Sequence, residues 1–122
     1  MKKWIAATAA VIGVAALASC GNSPDGRCVD QVPVGAVRAI NAGMTDGSVY
    51  NAGAIRDGER YVVAADLYRS SYGDEVGVWT LHDMGGGSFG AVSSGNTFAD
   101  KTSSWPSIRS DEIDAAMSCP RS

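Results

Sequence analysis

The dipeptide Asp57-Gly58 stands between two runs of strand-forming residues, 49–56 and 59–67, and limits what this chain can fold into. Asp-Gly is a favoured centre for a two-residue hairpin turn, so the flanking runs are expected to pair as antiparallel strands. A two-residue turn also sets the register. It places Arg56 opposite Glu59, Ala54 opposite Tyr61, Ala52 opposite Val63 and Tyr50 opposite Ala65. Apart from the charge pair at the tip, that face is apolar, and it is expected to pack against helices. The other face carries Val49, Asn51, Gly53, Ile55, Arg60, Val62, Ala64 and Asp66. Its mixed character points towards solvent or a partner.

The neighbouring segments extend the pattern. Residues 30–44 read as a first helix, with Pro33 in its first turn, an apolar stripe near helical spacing through Val34, Val37, Ile40 or Asn41, and Met44, and Gly43 marking the end. Residues 68–74 form a loop and 75–81 a third strand, with Trp79 and Leu81 on one side and Val76 and Val78 on the other. The sequence 82–87, ending in three glycines, is a turn, and 89–93 is a short fourth strand. Residues 94–107 are polar and irregular, anchored by Phe98 and Trp105-Pro106. Ser110 then suits a helix N-cap, Asp111 and Glu112 complement the helix dipole, and Ile113, Ala116 and Met117 supply an apolar side. The expected fold is α+β: a two-layer domain with a four-stranded antiparallel sheet and N- and C-terminal helices packed on one face.

The N-terminus carries a different message. Met1-Lys2-Lys3 precedes an uncharged run from Trp4 to Ser19, and Leu17-Ala18-Ser19-Cys20 closes it. This segment resembles the signal peptide of a bacterial lipoprotein, and the four residues match that family's lipobox. The resemblance implies cleavage before Cys20, lipid on its thiol, and residence in the cell membrane on the extracytoplasmic side, or in an outer membrane if the host has two. A membrane-spanning anchor is the competing reading, but it needs about 20 apolar residues; an ordinary cleaved export signal is another. The resulting division is 1–19 signal peptide, 20–27 flexible tether, 28–119 a single small domain and 120–122 a tail. With Cys20 lipidated in an exported chain, Cys28 and Cys119 remain, and a disulfide between them is expected to close nearly the whole domain. Two separate thiols are the alternative. Val76-Gly77-Val78-Trp79 and Phe98-Ala99-Asp100 are also similar to segments of small uncharacterised exported proteins of actinobacteria, a likeness that implies no activity.

Composition excludes some functions. The formal charge of −3 becomes −5 when Lys2 and Lys3 leave with the signal peptide, which argues against nucleic acid as a partner. Catalytic groups are few. His82 is the single histidine, and although Asp83 with Ser88 or Ser71 would complete a hydrolytic set, no Gly-x-Ser-x-Gly elbow occurs. Gly85-Gly86-Gly87-Ser88 lacks the Lys that contacts phosphates. Asp46-Gly47-Ser48 and Asp57-Gly58-Glu59 lack the alternating ligands of a calcium loop. Two cysteines and one histidine make an incomplete metal set, so no metal or cofactor is expected.

The expected function is therefore that of a lipid-anchored, non-enzymatic envelope module, held to the membrane through lipid on Cys20, that binds an envelope protein. Its contact surface is expected at Asn51, Arg60, Val62 and Asp66, with the loop bearing Tyr68 and Tyr72. A small envelope hydrolase using His82, and a prophage-encoded superinfection-exclusion lipoprotein, are the alternatives.

Overall fold

The central hairpin forms one step later than the Asp-Gly dipeptide implies. In the computed structural model, which describes residues 26–109 and 112–121, β1 (Ser48–Asp57) and β2 (Arg60–Tyr68) pair with Asp57 opposite Arg60. The turn residues are thus Gly58 and Glu59. Gly58 alone of the two has a positive φ, +65°, at no cost to a residue without Cβ. Asp57 stays in the strand, where its carboxylate lies 3.9 Å from Arg60. Arg56 consequently faces Tyr61, and Ala54 faces Val63. Because the shift is two residues, the side chains near the turn keep their expected faces.

Further along β1, a bulge changes the faces. The pairing steps from Gly53–Ala64 to Tyr50–Asp66, so Asn51 and Ala52 together oppose the one residue Ala65. Asn51 takes φ +52°, the left-handed conformation that glycine or asparagine supplies in such bulges. Beyond it, Val49 turns into the core and Tyr50 turns out, which reverses the sequence-based placement of Tyr50 on the apolar face.

β3 (Val76–Gly85) and β4 (Ser88–Ser94) continue the antiparallel sheet in the order β1-β2-β3-β4. Residues 82–85, read from sequence as turn, belong to β3, and the turn itself is Gly86-Gly87. A second bulge sets Ala91 and Val92 against Leu81, with Ala91 at φ +51°.

The sheet is covered on both faces, which corrects the expected two-layer arrangement. On the first face lie Ala54, Tyr61, Val63, Ala65, Leu67, Trp79 and Leu81, under Ala36 and Ile40 of α1 (Val34–Ala42) and Ala99 of α2 (Thr97–Thr102). On the second lie Ile55, Val62, Ala64 and Val78, under Ala116 of α3 (Ile113–Met117) and Cys119. The N- and C-terminal helices therefore occupy opposite faces. The physical reason lies in β2: Tyr61-Val62-Val63-Ala64-Ala65 is apolar on both sides of the pleat, and such a strand requires cover on both.

The ends are tied to the sheet by specific contacts. Cys28 and Cys119 form a disulfide with Cα atoms 5.6 Å apart. Cys28 does not begin a helix; it lies beside β1, opposite Ile55, flanked by the Val29 N–H to Ala54 bond of 2.9 Å and the Arg56 N–H to Arg27 bond of 3.1 Å. α1 begins only after Pro33, whose extended ψ of 140° keeps the preceding residues out of the helix. It ends at Gly43, where a Cβ would overlap the Trp105 indole. That indole donates to the Ile40 carbonyl at 3.1 Å. α2, a helix inside the segment read as irregular, is capped by Asn96. Its side-chain oxygen accepts from Ala99 N–H at 3.0 Å and Val78 N–H at 3.1 Å, and its amide donates to the Val76 carbonyl at 3.0 Å. One side chain thus caps the helix and fastens it to β3.

Candidate functional site

Among the described residues, the strand ends away from the hairpin tips carry the most exposed aromatic surface. Tyr50 on β1 and Tyr68 on β2 are 48% and 47% exposed, and their rings meet edge to face with centroids 5.6 Å apart. The bulge at Asn51 turns Tyr50 out to the face of Asp66, and Tyr68 follows two residues after Asp66 along the pleat. Arg69, at φ +59°, turns the chain out of β2 and holds its guanidinium 5.2 Å from the centre of the Tyr68 ring. Two non-glycine residues in the left-handed region therefore flank this aromatic pair.

Asp66 organises the polar side of the same patch. One carboxylate oxygen accepts from the Asn51 amide at 3.1 Å, and the other lies 3.3 Å from Arg121 Nε. Nearby, Asp46 receives the Ser71 N–H on both carboxylate oxygens at 3.1 Å, which fastens the β2–β3 loop. Tyr72 in that loop meets Phe98 edge to face at 6.0 Å, with Lys101 Nζ 5.9 Å from its ring centre. This end can offer ring faces, ring edges and cations to a partner. It brings together Asn51, Asp66 and Tyr68 of the expected contact surface and adds Tyr50 and Arg69, whereas Tyr72, in the loop at the same end, packs with Phe98 of the first-face core. Asn51 was the signal for Tyr50, since asparagine tolerates the conformation a bulge needs.

The other two expected contact residues have structural roles. Val62 is 1% exposed beneath α3 and cannot meet a partner; the second face was expected to be open because its cover is distant in sequence. Arg60 lies towards the hairpin tip, where it and Arg27 both pair with Glu112, and both approach Asp57. Glu112 precedes α3, so these pairs hold that helix to the sheet. Cys20, the expected lipidation site, lies outside the described residues, as do the signal peptide, most of the tether, and Ser110 and Asp111.

Among the possible catalytic groups, Ser88 begins β4 opposite Gly85, at the same hairpin as His82 and Asp83, and only Ser71 is distant. His82 is in β3, between Arg60 of β2 and Gly90 of β4, whereas Ser71 is in the loop at the other end of β3. Asp83 accepts the Gly85 N–H at 2.9 Å. A separate polar cluster joins Ser94 Oγ to Asp100 at 2.5 Å and Asp100 to Arg109 at 2.6 Å. Burial alone would raise the Asp100 pKa. Hydrogen bonds from Ser94, Arg109 and Ser107, with the Arg109 charge, outweigh that and hold it below its ordinary value. A groove of about 310 Å³ between α1 and the β3–β4 hairpin is open and shallow, lined by Gly35, Arg38, Ala42, Gly87 and Phe89. Among the described residues, no three His, Cys, Asp or Glu side chains gather into a metal site, and no helix is long and apolar enough to cross a membrane.

Comparison with protein-family models, with curated proteins and with solved structures finds no match to this chain.

Proposed function

We propose that this chain is a lipid-anchored envelope protein whose folded part is a non-enzymatic module for binding another envelope protein. The disulfide between Cys28 and Cys119 is the observation that carries the reading. Such bonds persist in oxidising compartments outside the cytosol. Of the three cysteines, Cys20 is the one outside that bond, and it stands where the lipobox pattern calls for a lipidated thiol. A diacylglyceryl group brings two hydrocarbon chains, and two give stable anchoring where one is marginal.

The binding surface is the exposed aromatic end, with Tyr50, Tyr68 and Arg69 at its centre and Asn51, Asp66 and Tyr72 around it. Tyrosine and arginine are among the residue types enriched at the few positions that carry most of the binding energy of protein interfaces. Mass spectrometry of the native chain tests the anchor: the polypeptide should begin at Cys20 and carry acyl mass. A chain beginning at Met1 would end this reading. Crosslinking in intact cells tests the surface. Replacing Tyr50 and Tyr68 together by Ala should lower recovery of the attached protein about tenfold, equivalent to about 1.4 kcal/mol. Unchanged recovery would assign the binding elsewhere.

A further inference from the structure

We infer that the domain stands with its two hairpin tips against the bilayer that holds its anchor and its Tyr50–Tyr68 end directed outward. This rests on lipid attachment at Cys20. The argument is one of chain direction and length. The β1–β2 turn at Gly58 and Glu59 and the β3–β4 turn at Gly86 and Gly87 share one end of the sheet, and the β2–β3 loop is at the other. The segment 27–29 runs antiparallel to β1, with Arg27 beside Arg56 and Val29 beside Ala54. Followed backwards towards Cys20, the chain therefore leaves the domain at the hairpin-tip end.

Seven residue steps join Cys20 to Arg27, so the two are at most about 25 Å apart. Eight steps of β1 separate Arg56 from Ser48, about 26 Å of strand, and the β2–β3 loop extends beyond Ser48. An inverted domain would hold Arg27 further from the bilayer than the tether can reach. The short tether thus selects which end meets the membrane.

The chemistry of that end fits a phospholipid surface contacted through the tether rather than by charge attraction. Arg27, Arg38, Arg56 and Arg60 are balanced by Asp57, Glu59, Asp83 and Glu112, and Met84 at the β3–β4 tip is 67% exposed. Contact should therefore be insensitive to the fraction of anionic lipid. The outward end presents the tyrosine pair to molecules beyond the membrane.

The test uses the full lipidated chain in phosphatidylcholine vesicles carrying a headgroup energy-transfer acceptor. Acylated Cys20 and the Cys28–Cys119 bond leave an introduced cysteine as the reactive thiol, so a donor dye can be attached at Glu59→Cys or at Ser71→Cys, both exposed positions. Transfer from position 59 should exceed that from position 71 at least twofold, at any anionic lipid content. Equal or reversed transfer, with the protein still floating with the vesicles, overturns the orientation alone. A chain that neither carries acyl mass nor floats with the vesicles overturns the lipid anchor and the orientation together. Inserting twelve Gly and Ser residues between Asn22 and Ser23 should narrow the contrast; an unchanged contrast would overturn the tether argument.

Discussion

Reduction of the Cys28–Cys119 disulfide should remove a large part of this domain's stability. The bond joins residues 91 apart, so its loop contains nearly every described residue. Cross-linking so long a loop removes chain entropy from the unfolded state by an amount equivalent to about 4.6 kcal/mol at 25 °C, and native disulfides in small exported domains typically contribute 2–5 kcal/mol. A small domain has a total stability of about 5–15 kcal/mol, so the loss is a substantial share. Comparing oxidised and reduced wild type isolates the cross-link, because both sulfur atoms remain in place. Urea unfolding followed by Trp fluorescence should show a loss of about 3–4.6 kcal/mol, a midpoint shift of roughly 2 M for a domain of this size. The double variant Cys28→Ala, Cys119→Ala should lose somewhat more, because Cys119 is 3% exposed and packs with Ile55, Val62 and Ala116. A loss on reduction below about 1 kcal/mol would refute the reasoning. It would mean that the unfolded chain already keeps its ends together, or that the C-terminal segment detaches locally without weakening the rest.

Three further outcomes test the packing and the electrostatics. Gly43→Ala places a methyl group in the Trp105 indole and should cost about 1–3 kcal/mol, with a change in Trp fluorescence; an unchanged urea midpoint would contradict the contact. Ala91→Gly should stabilise by about 1 kcal/mol, because an exposed alanine at φ +51° bears a left-handed strain that glycine does not; a destabilised variant would show that the methyl group has a packing role. Asp100, whose pKa is lowered in the fold, contributes stability that is present above the unfolded carboxylate value of about 3.9 and is lost as pH falls through the folded value. Wild type should therefore lose stability more steeply than Asp100→Asn below about pH 4, and parallel acid limbs in urea midpoints against pH would refute this.

Local features of the sequence were good guides where neighbouring residues decide the outcome. The hairpin and the third strand, with Trp79 and Leu81 opposite Val76 and Val78, follow from alternation and turn residues, and the anchoring of Phe98 and Trp105 follows from large apolar side chains in a polar segment. The turn lies one residue later than Asp-Gly implies because both Asp-Gly and Gly-Glu place a glycine where a primed turn can use it. The helix at Thr97–Thr102 is not legible in the sequence because six residues give too little periodicity to stand out, although Asn96 carries its cap. The aromatic end was half legible. The polar loop composition points to exposed Tyr68 and Tyr72, whereas alternation, which assumes an unbroken pleat, points Tyr50 inward.

By itself, the sequence determined an antiparallel α+β domain and the two cysteines available to staple it, because hairpin pairing and cysteine arithmetic depend on residue types and short spacings. Only the tertiary structure decided which helix covers which face, that Arg60 ties the last helix to the sheet while Val62 is buried beneath it, and that Tyr50 joins Tyr68 at the surface. Those outcomes depend on a bulge that reverses a strand's faces and on a C-terminal segment that returns to a sheet formed far earlier in the chain. Neither leaves a periodic trace in the residues, since each is fixed by contacts between parts of the chain that are distant in sequence.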